Sequence, residues 1–299
     1  MLERRLHVCW AVAAFVAVSA LSLGACGGSG KKHKNVGAKN ANASALSLSI
    51  GESGKAARFT APASAVGGLV ELRLTNTGKA PHAAQLVLIR GNHTAQDALK
   101  QLGSHSNKTP AWLRAEGGLV GVPSGQRAAT TLNLPAGKYV VVDVGGGPGG
   151  PGPPAFAQFT LTPGKAGSLP STPTTVTAAN PSKDRYKWQI SGPLNAGANR
   201  ITFVSKGKSA LHVLVAARVT GNPSKATILT ALKKSKGRLP AFVDKTSLSS
   251  TAVIDGNRSQ VTALQLRRPG QYALFCPLND RDGGKPHIAE GMLTTIIVK

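Results

Sequence analysis

Apolar and polar residues alternate with a period of two through much of the chain beyond position 44. In "GGLVELRLTNTG" this puts Val70, Leu72 and Leu74 on one face, and in "ANRITFVSKG" it puts Ile201 and Phe203 on one face. That period belongs to a half-buried β-strand, whose successive side chains point to opposite sides. "ATTLNLPAGKYVVVDV" and "QVTALQLRRPGQYALFC" each read as two strands joined at a glycine turn, and "FTLT" and "LTTIIV" read as closing strands. Two stretches, "TAQDALKQL" and "SKATILTAL", space their apolar residues as a short amphipathic helix does, with Thr94 and Ser224 placed to cap them. Short strands broken by frequent turns predict an all-β fold of the sandwich or barrel kind.

The pattern occurs twice. "APHAAQLVLIRGN" (80–92) aligns with "ALHVLVAARVTGN" (210–222), which sets His82 on His212. Beyond it Leu99 meets Leu229, Leu102 meets Leu232, Pro110 meets Pro240 and Trp112 meets Phe242, and "PAGKYVVVD" answers "RPGQYALFC". Two tandem units are expected, 45–163 and 185–299, each with one helix. Residues 164–184, rich in Pro, Ser, Thr and Gly, read as the linker between them.

The N-terminus departs from this pattern. Arg4 and Arg5 precede an apolar run that thins into "LGAC", ending at Cys26. A basic start, an apolar stretch and small residues before a cut make a secretory signal, here 1–25. With cysteine at the cut, it resembles the bacterial lipoprotein signal, and that resemblance implies lipid on Cys26. An uncleaved anchor is the alternative, because an apolar run of roughly eighteen residues is near the lower limit for a span. Either reading places the remainder outside the cytoplasm; the first places it on the outer face of a bacterial cell membrane. Residues 26–44 carry no apolar period and read as a flexible tether, with Lys31, Lys32 and Lys34 either solvated or set against anionic headgroups.

Charge narrows the partners. The chain holds 36 Lys and Arg against 12 Asp and Glu, a formal net charge of +24. Nucleic acid is not the expected partner: the chain is read as exported, aromatic residues make up only 4% of it, and its basic residues are scattered. Anionic lipid, cell-wall polymer or an acidic protein, including an acidic redox partner, suits that charge better.

Cysteine usage raises a chemical question. Of Cys9, Cys26 and Cys276, the first leaves with the signal and the second takes lipid, so Cys276 stands alone in an oxidising compartment. It is buried and inert, paired between molecules, catalytic, or bound to a metal. His287 and Met292 follow it closely in "FCPLNDRDGGKPHIAEGMLTTIIVK".

The second unit resembles a cupredoxin, the blue-copper fold of plastocyanin and azurin. "PGQYALFC" matches that family's P-G-x-Y-x-x-x-C strand, "HIAEGMLTTIIV" its H-x-x-x-G-M segment and final strand, and "FVSKGKSALHVLV" the strand–turn–strand that brings in its first histidine. The resemblance covers about 185–299, and more weakly 45–163, and it implies tandem Greek-key β-sandwiches. It also implies one copper ion held by His212 and His287 as equatorial imidazoles, Cys276 as thiolate and Met292 as a long axial thioether, a donor set that suits type 1 copper. The Cys276–His287 loop is longer than in plastocyanin-like carriers. Val213 follows His212 where carriers usually have a polar residue, and Pro277 has no N–H to offer.

In the first unit Asp143 takes the place of Cys276 and only His82 of the four ligands survives, so it reads as a shell without a blue-copper site. His82, His93 and His105 are expected on solvated loops there, with a hard or borderline ion held by them and Asp143 as the alternative. No H-x-H pair occurs, and the five histidines outside the signal and tether cannot supply a trinuclear copper cluster. No G-x-S-x-G or H-E-x-x-H appears either, so an electron carrier is expected before a catalyst. A cell-surface binding or scaffold protein with a vestigial site is the alternative.

Overall fold

The computed structural model describes residues 43–54, 56–104, 106–144, 154–182, 185–208, 210–234 and 239–299. The expected signal and its Cys26, His105 and the glycine run at 145–152 lie outside the described residues. Among the described residues no helix is long and apolar enough to cross a membrane.

The N-terminal half forms β1 (Ser44–Ser53), β2 (Ala56–Thr60), β3 (Ser64–Val66), β4 (Gly68–Asn76) and β5 (His82–Ile89). Helix α1 (Ala95–Gly103) follows, then β6 (Leu113–Val122), β7 (Arg127–Leu134), β8 (Gly137–Val142) and β9 (Phe156–Thr162). The C-terminal half begins with β10 (Thr174–Ser182), β11 (Arg185–Ser191), β12 (Gly197–Ser205), β13 (Leu211–His212) and β14 (Val215–Arg218). After helix α2 (Lys225–Lys234) come β15 (Ser249–Ser250), β16 (Ile254–Asp255), β17 (Arg258–Leu266), β18 (Gly270–Phe275) and β19 (Leu293–Val298). The all-β expectation holds, and both helices fall where the apolar spacing put them. The Thr94 hydroxyl accepts from the Asp97 N–H at 3.1 Å and the Ser224 hydroxyl from the Thr227 N–H at 3.1 Å, so each caps its helix.

Each half packs strands from two sheets onto one core. Leu46 and Leu48 of β1, Val70, Leu72 and Leu74 of β4 and Leu132 of β7 meet Leu86 of β5, Tyr139 and Val141 of β8 and Phe159 of β9. In the C-terminal half Val176, Ile201, Phe203 and Leu264 meet Tyr272, Leu274 and Leu293. Strand β5 is buried along its whole length. Its other face carries Val87 and Ile89 against Ala95 and Ala98 of α1, which explains why its sequence runs apolar without alternating. The two "PxGxY" or "PGxY" stretches have one physical role. The Tyr139 hydroxyl donates to the Pro135 carbonyl at 2.9 Å and the Tyr272 hydroxyl to the Arg268 carbonyl at 3.0 Å, so each buried ring pins the corner that opens its strand.

The halves are not beads on a linker. One sheet of eight strands runs β11-β10-β12-β17-β7-β4-β1-β2, crossing from one half to the other where β17 pairs antiparallel with β7. A second sheet, β13-β16-β6-β5-β8-β9-β3, also crosses, where Ile254 of β16 pairs with Glu116 of β6. The third runs β15-β14-β18-β19. An isolated sandwich exposes strand edges whose unpaired N–H and C=O groups invite foreign strands; here β7 and β17 satisfy each other. Around the crossing the pairings match: β2-β1-β4-β7 and β11-β10-β12-β17 are each joined antiparallel, parallel, antiparallel.

Side chains tie the same seam. The Gln85 amide, 1% exposed, donates to the carbonyls of Val253 at 3.0 Å and Gly117 at 3.1 Å, and accepts from the Val253 N–H at 2.8 Å. It pairs with Val253 as a strand's backbone would. Gln260 accepts from the Gly118 N–H at 3.0 Å, and Arg258 faces Glu116 with Nε to Oε2 at 2.7 Å. Gly118 is required here. Its φ is +142°, and a Cβ would stand 1.9 Å from the Ala84 carbonyl oxygen.

Replacing Gln85 by leucine strands the Val253 N–H in the interior, while the Val253 carbonyl keeps the Gly117 N–H at 3.1 Å. Since an unsatisfied buried group costs about 1–3 kcal/mol, Gln85→Leu is expected to lower the unfolding free energy by about that much. Urea denaturation checks this, and an unchanged midpoint would mean that the amide does not support the seam.

Candidate metal centre

Three donors converge in the C-terminal half. His212 lies on β13, Cys276 directly follows β18, and His287 opens a 3-10 turn, His287–Glu290. Their ligand atoms all lie within 4.8 Å of one another, and all three residues are 0% exposed. Cys276 Sγ stands 3.6 Å from His287 Nδ1, and the two imidazole centroids are 4.7 Å apart. Met292 is also 0% exposed and sits one residue before β19.

Backbone hydrogen bonds fix this arrangement. The Cys276 N–H donates to the Met292 carbonyl at 3.2 Å, the Met292 N–H to the His287 carbonyl at 2.8 Å, the His287 N–H to the Leu278 carbonyl at 2.7 Å and the Ile288 N–H to the Cys276 carbonyl at 2.9 Å. The loop from 276 to 292 is thereby folded back on itself, so its three expected ligand residues are mutually braced. Gly291 makes the fold-back possible. Its φ is +111°, and a Cβ there would stand 2.5 Å from the Tyr186 carbonyl oxygen. This is the physical content of the glycine that precedes Met292.

The two histidines have opposite surroundings. His287 Nε2 faces Asp280 Oδ1 at 3.3 Å, and Asp280 also accepts the Tyr186 hydroxyl at 2.6 Å. A carboxylate on Nε2 holds a proton at that nitrogen and makes Nδ1, which faces the sulfur at 3.6 Å, the nitrogen a metal would take, as metal-ligating histidines are usually held. The Tyr186 ring stacks on His287 at 4.1 Å and meets His212 edge-on at 5.5 Å. Burial disfavours the His287 cation, but Asp280 and Cys276 outweigh it and push its pKa up to about 9. His212 has neither help. Burial first, and the nearby His287 charge second, hold its pKa well below the ordinary value. Neither His212 Nδ1 nor Nε2 has a hydrogen-bond partner. A buried imidazole with two orphaned nitrogens, beside a thiol and a second imidazole, is the chemistry of an ion site: coordination would satisfy a nitrogen that nothing in the protein satisfies.

Asp280 and Tyr186 were not singled out in the sequence. Asp280 lay in the quoted loop with no spacing to mark it, and Tyr186 comes from β11, remote along the chain.

The N-terminal half corrects one expectation. His82 is not on a solvated loop: it is 0% exposed at the start of β5. Its Nδ1 lies 2.7 Å from Asp143 Oδ2 and its Nε2 3.1 Å from Glu52 Oε1. The strand is covered on both faces, so its first residue is drawn inside, and two carboxylates satisfy both ring nitrogens. His93 is half-buried and stacks on Trp112 at 4.0 Å. Among the described residues, the only group of three or more His, Cys, Asp or Glu placed to share an ion is His212, Cys276 and His287.

No family model and no curated protein matches the chain. Among solved structures the chain is similar to auracyanin B, with 21% identity over 44% of this chain and 93% of that one and a TM-score of 0.27. It is also similar to auracyanin from the photosynthetic bacterium Roseiflexus castenholzii, with 18% identity over 42% and 94% and a TM-score of 0.26. A multicopper oxidase aligns over more of the chain, 85% of this one and 88% of that one, with 12% identity and a TM-score of 0.24.

His212 gives a pH signature to the metal-free protein. Its folded pKa lies below the unfolded value of about 6.5, so its contribution to stability is present above that pH and is lost as pH falls toward the folded pKa. His287, raised in the folded state, is protonated in both states below that range and adds no slope there. His212→Leu replaces two orphaned nitrogens with apolar atoms. It is expected to stabilise the metal-free protein by about 1–3 kcal/mol and to flatten the acid slope, both read from thermal melts between pH 5 and 8. A destabilised variant would mean that His212 has an interaction partner in the metal-free state.

Proposed function

We propose that this chain is an exported, lipid-anchored, cupredoxin-like protein that holds one type 1-like copper ion in its C-terminal half and serves single-electron transfer or copper handling. The observation that carries this is the buried convergence of His212, Cys276 and His287, with both His212 nitrogens lacking any partner. Soft sulfur mixed with imidazole suits copper in both oxidation states, whereas a thioether in the set argues against zinc. Bound there, copper would supply a one-electron couple. The protein's part is to hold the donors still. His212 stays neutral and ready to bind, Asp280 keeps the His287 proton on Nε2, and the braced 276–292 loop limits movement of the thiolate. Met292, in the family order and pinned by its backbone to Cys276 and His287, would complete the donor set with its thioether.

The remaining parts follow the sequence. Cys26 carries the lipid, the tether follows it as far as β1, and two cupredoxin-like units of one ancestry come after, the second beginning at β10 (Thr174–Ser182), inside the stretch 164–184 expected as the linker. The matching strand pairings on either side of the seam support that duplication. The first unit carries no copper, since carboxylates occupy both nitrogens of its histidine. The partner is a redox protein whose acidic surface suits the basic chain. A carrier is favoured over a catalyst because the donor set accounts for one ion only.

The bracketed His82, with both nitrogens already taken by Asp143 and Glu52, also supports a second reading, a surface binding or scaffold protein with a vestigial centre. Copper loading separates the two. The carrier reading expects about one copper per chain, an intense visible thiolate-to-copper band and a raised melting temperature, all lost in Cys276→Ser. The scaffold reading expects no band and a melting temperature that copper does not move. For the anchor, Cys26→Ser is expected to abolish incorporation of labelled fatty acid in cells; labelling that persists would favour the uncleaved span.

A further inference from the structure

The loop between Cys276 and His287 does not stand free at the end of the C-terminal half. The Asn279 amide donates to the Asn107 carbonyl at 2.7 Å, and the Thr109 N–H donates to the Arg281 carbonyl at 2.7 Å. The Arg281 side chain, 8% exposed, continues inward. It donates to the carbonyls of Pro110, at 2.8 Å, and Leu113, and its Nη1 meets Asp255 Oδ2 at 2.6 Å. Residues 107–112 lie between α1 and β6 and Leu113 opens β6, all in the N-terminal half. The residue before Arg281 is Asp280, which holds His287.

Asp255 links the other side of the centre. It pairs with Leu211, the neighbour of His212, in the β13–β16 ladder, while Ile254 beside it pairs with both His212 and Glu116 of β6. Its carboxylate, 0% exposed, receives Arg281 and also Arg114 of β6, with Arg114 Nε at 3.1 Å. The strand bearing His212 and the loop bearing Cys276 and His287 are therefore both fastened to the N-terminal half, and they meet at one ion pair.

We infer that the N-terminal half positions the copper ligands of the C-terminal half, and that Arg281, gripped by Asp255 and residues 107–113, is the positioning residue through which it does so. The role suits arginine. A planar fork can satisfy a carboxylate and two carbonyls in fixed directions, which an ammonium on a flexible stem cannot. Neither Arg281 nor Asp255 contributes a donor to the centre. They set the separation between His212 and the loop, so the half without an ion site still bears on the metal. This inference rests on the proposed copper site for its meaning but not for its test.

The test uses the full chain and compares wild type, Arg281→Lys, Asn279→Ala and Arg258→Lys. The last loosens a different ion pair that crosses the seam, Glu116–Arg258, as a control for general destabilisation. In metal-free protein the alkylation rate at Cys276, read by peptide mapping, is expected to rise about tenfold or more in Arg281→Lys, because local opening sets access to a buried thiol. A smaller rise is expected in Asn279→Ala, which is only half-buried and carries the test if Arg281→Lys fails to fold. Arg258→Lys is expected to leave the rate near that of wild type. In copper-loaded protein, Arg281→Lys is expected to shift the charge-transfer band and the reduction potential, and Arg258→Lys to leave both unchanged. Cys276 rates equal to wild type in Arg281→Lys and Asn279→Ala, or an equal rise in Arg258→Lys, would overturn the inference. A wild type that takes up no copper would overturn the proposed function instead, and the metal-free rates would still decide the positioning role.

Discussion

Desolvation governs the C-terminal half of this protein. Two imidazoles that water would readily hydrate, those of His212 and His287, are fully buried beside Cys276 and Met292, and a sandwich interior offers few partners in return. His287 receives a carboxylate; His212 receives nothing. The backbone bonds between 276 and 292, the left-handed turn at Gly291 and the ring of Tyr186 keep the loop closed over these groups, where a looser one would open to hydrate them. Their combined effect is a rigid cage of donors whose one unmet need is an electrophile.

The other half meets the same difficulty differently. His82 holds the position that aligns with His212, and it is equally buried, but Asp143 and Glu52 close on its two nitrogens. Glu52 is itself braced. Burial would raise its pKa, but the N–H groups of Lys79 and Ala80 and the His82 ring outweigh this and lower it. An imidazole between two carboxylates is internally complete. Placing acid where the second half has a thiol therefore removes both the ligand and the need for one.

Much of this was legible in the sequence because it depends on local periodicity. Val70, Leu72 and Leu74 alternate, so β4 and its buried face follow; Thr94 and Ser224 precede apolar runs at helical spacing, so α1 and α2 follow. Cys276, His287 and Met292 lie on one loop, and their order behind Tyr272 and around Gly291 was readable because a single chain segment brings them together. What escaped notice depends on distant segments meeting. Tyr186 reaches Asp280 from another strand, Gln85 imitates a backbone beside Val253, and Arg281 crosses into residues 107–113. No period or spacing encodes such encounters. The burial of His82 was hidden for a related reason: it follows only once both faces of β5 are seen to be covered.

The seam that runs through two sheets at once has a consequence for how the chain can change. A unit joined to its neighbour by a tether alone can be excised, transplanted or traded between genes with little penalty. Here such surgery would bare a strand edge in each layer and maroon the ions of Glu116 and Asp255, so the two parts are bound to be inherited, and to diversify, together.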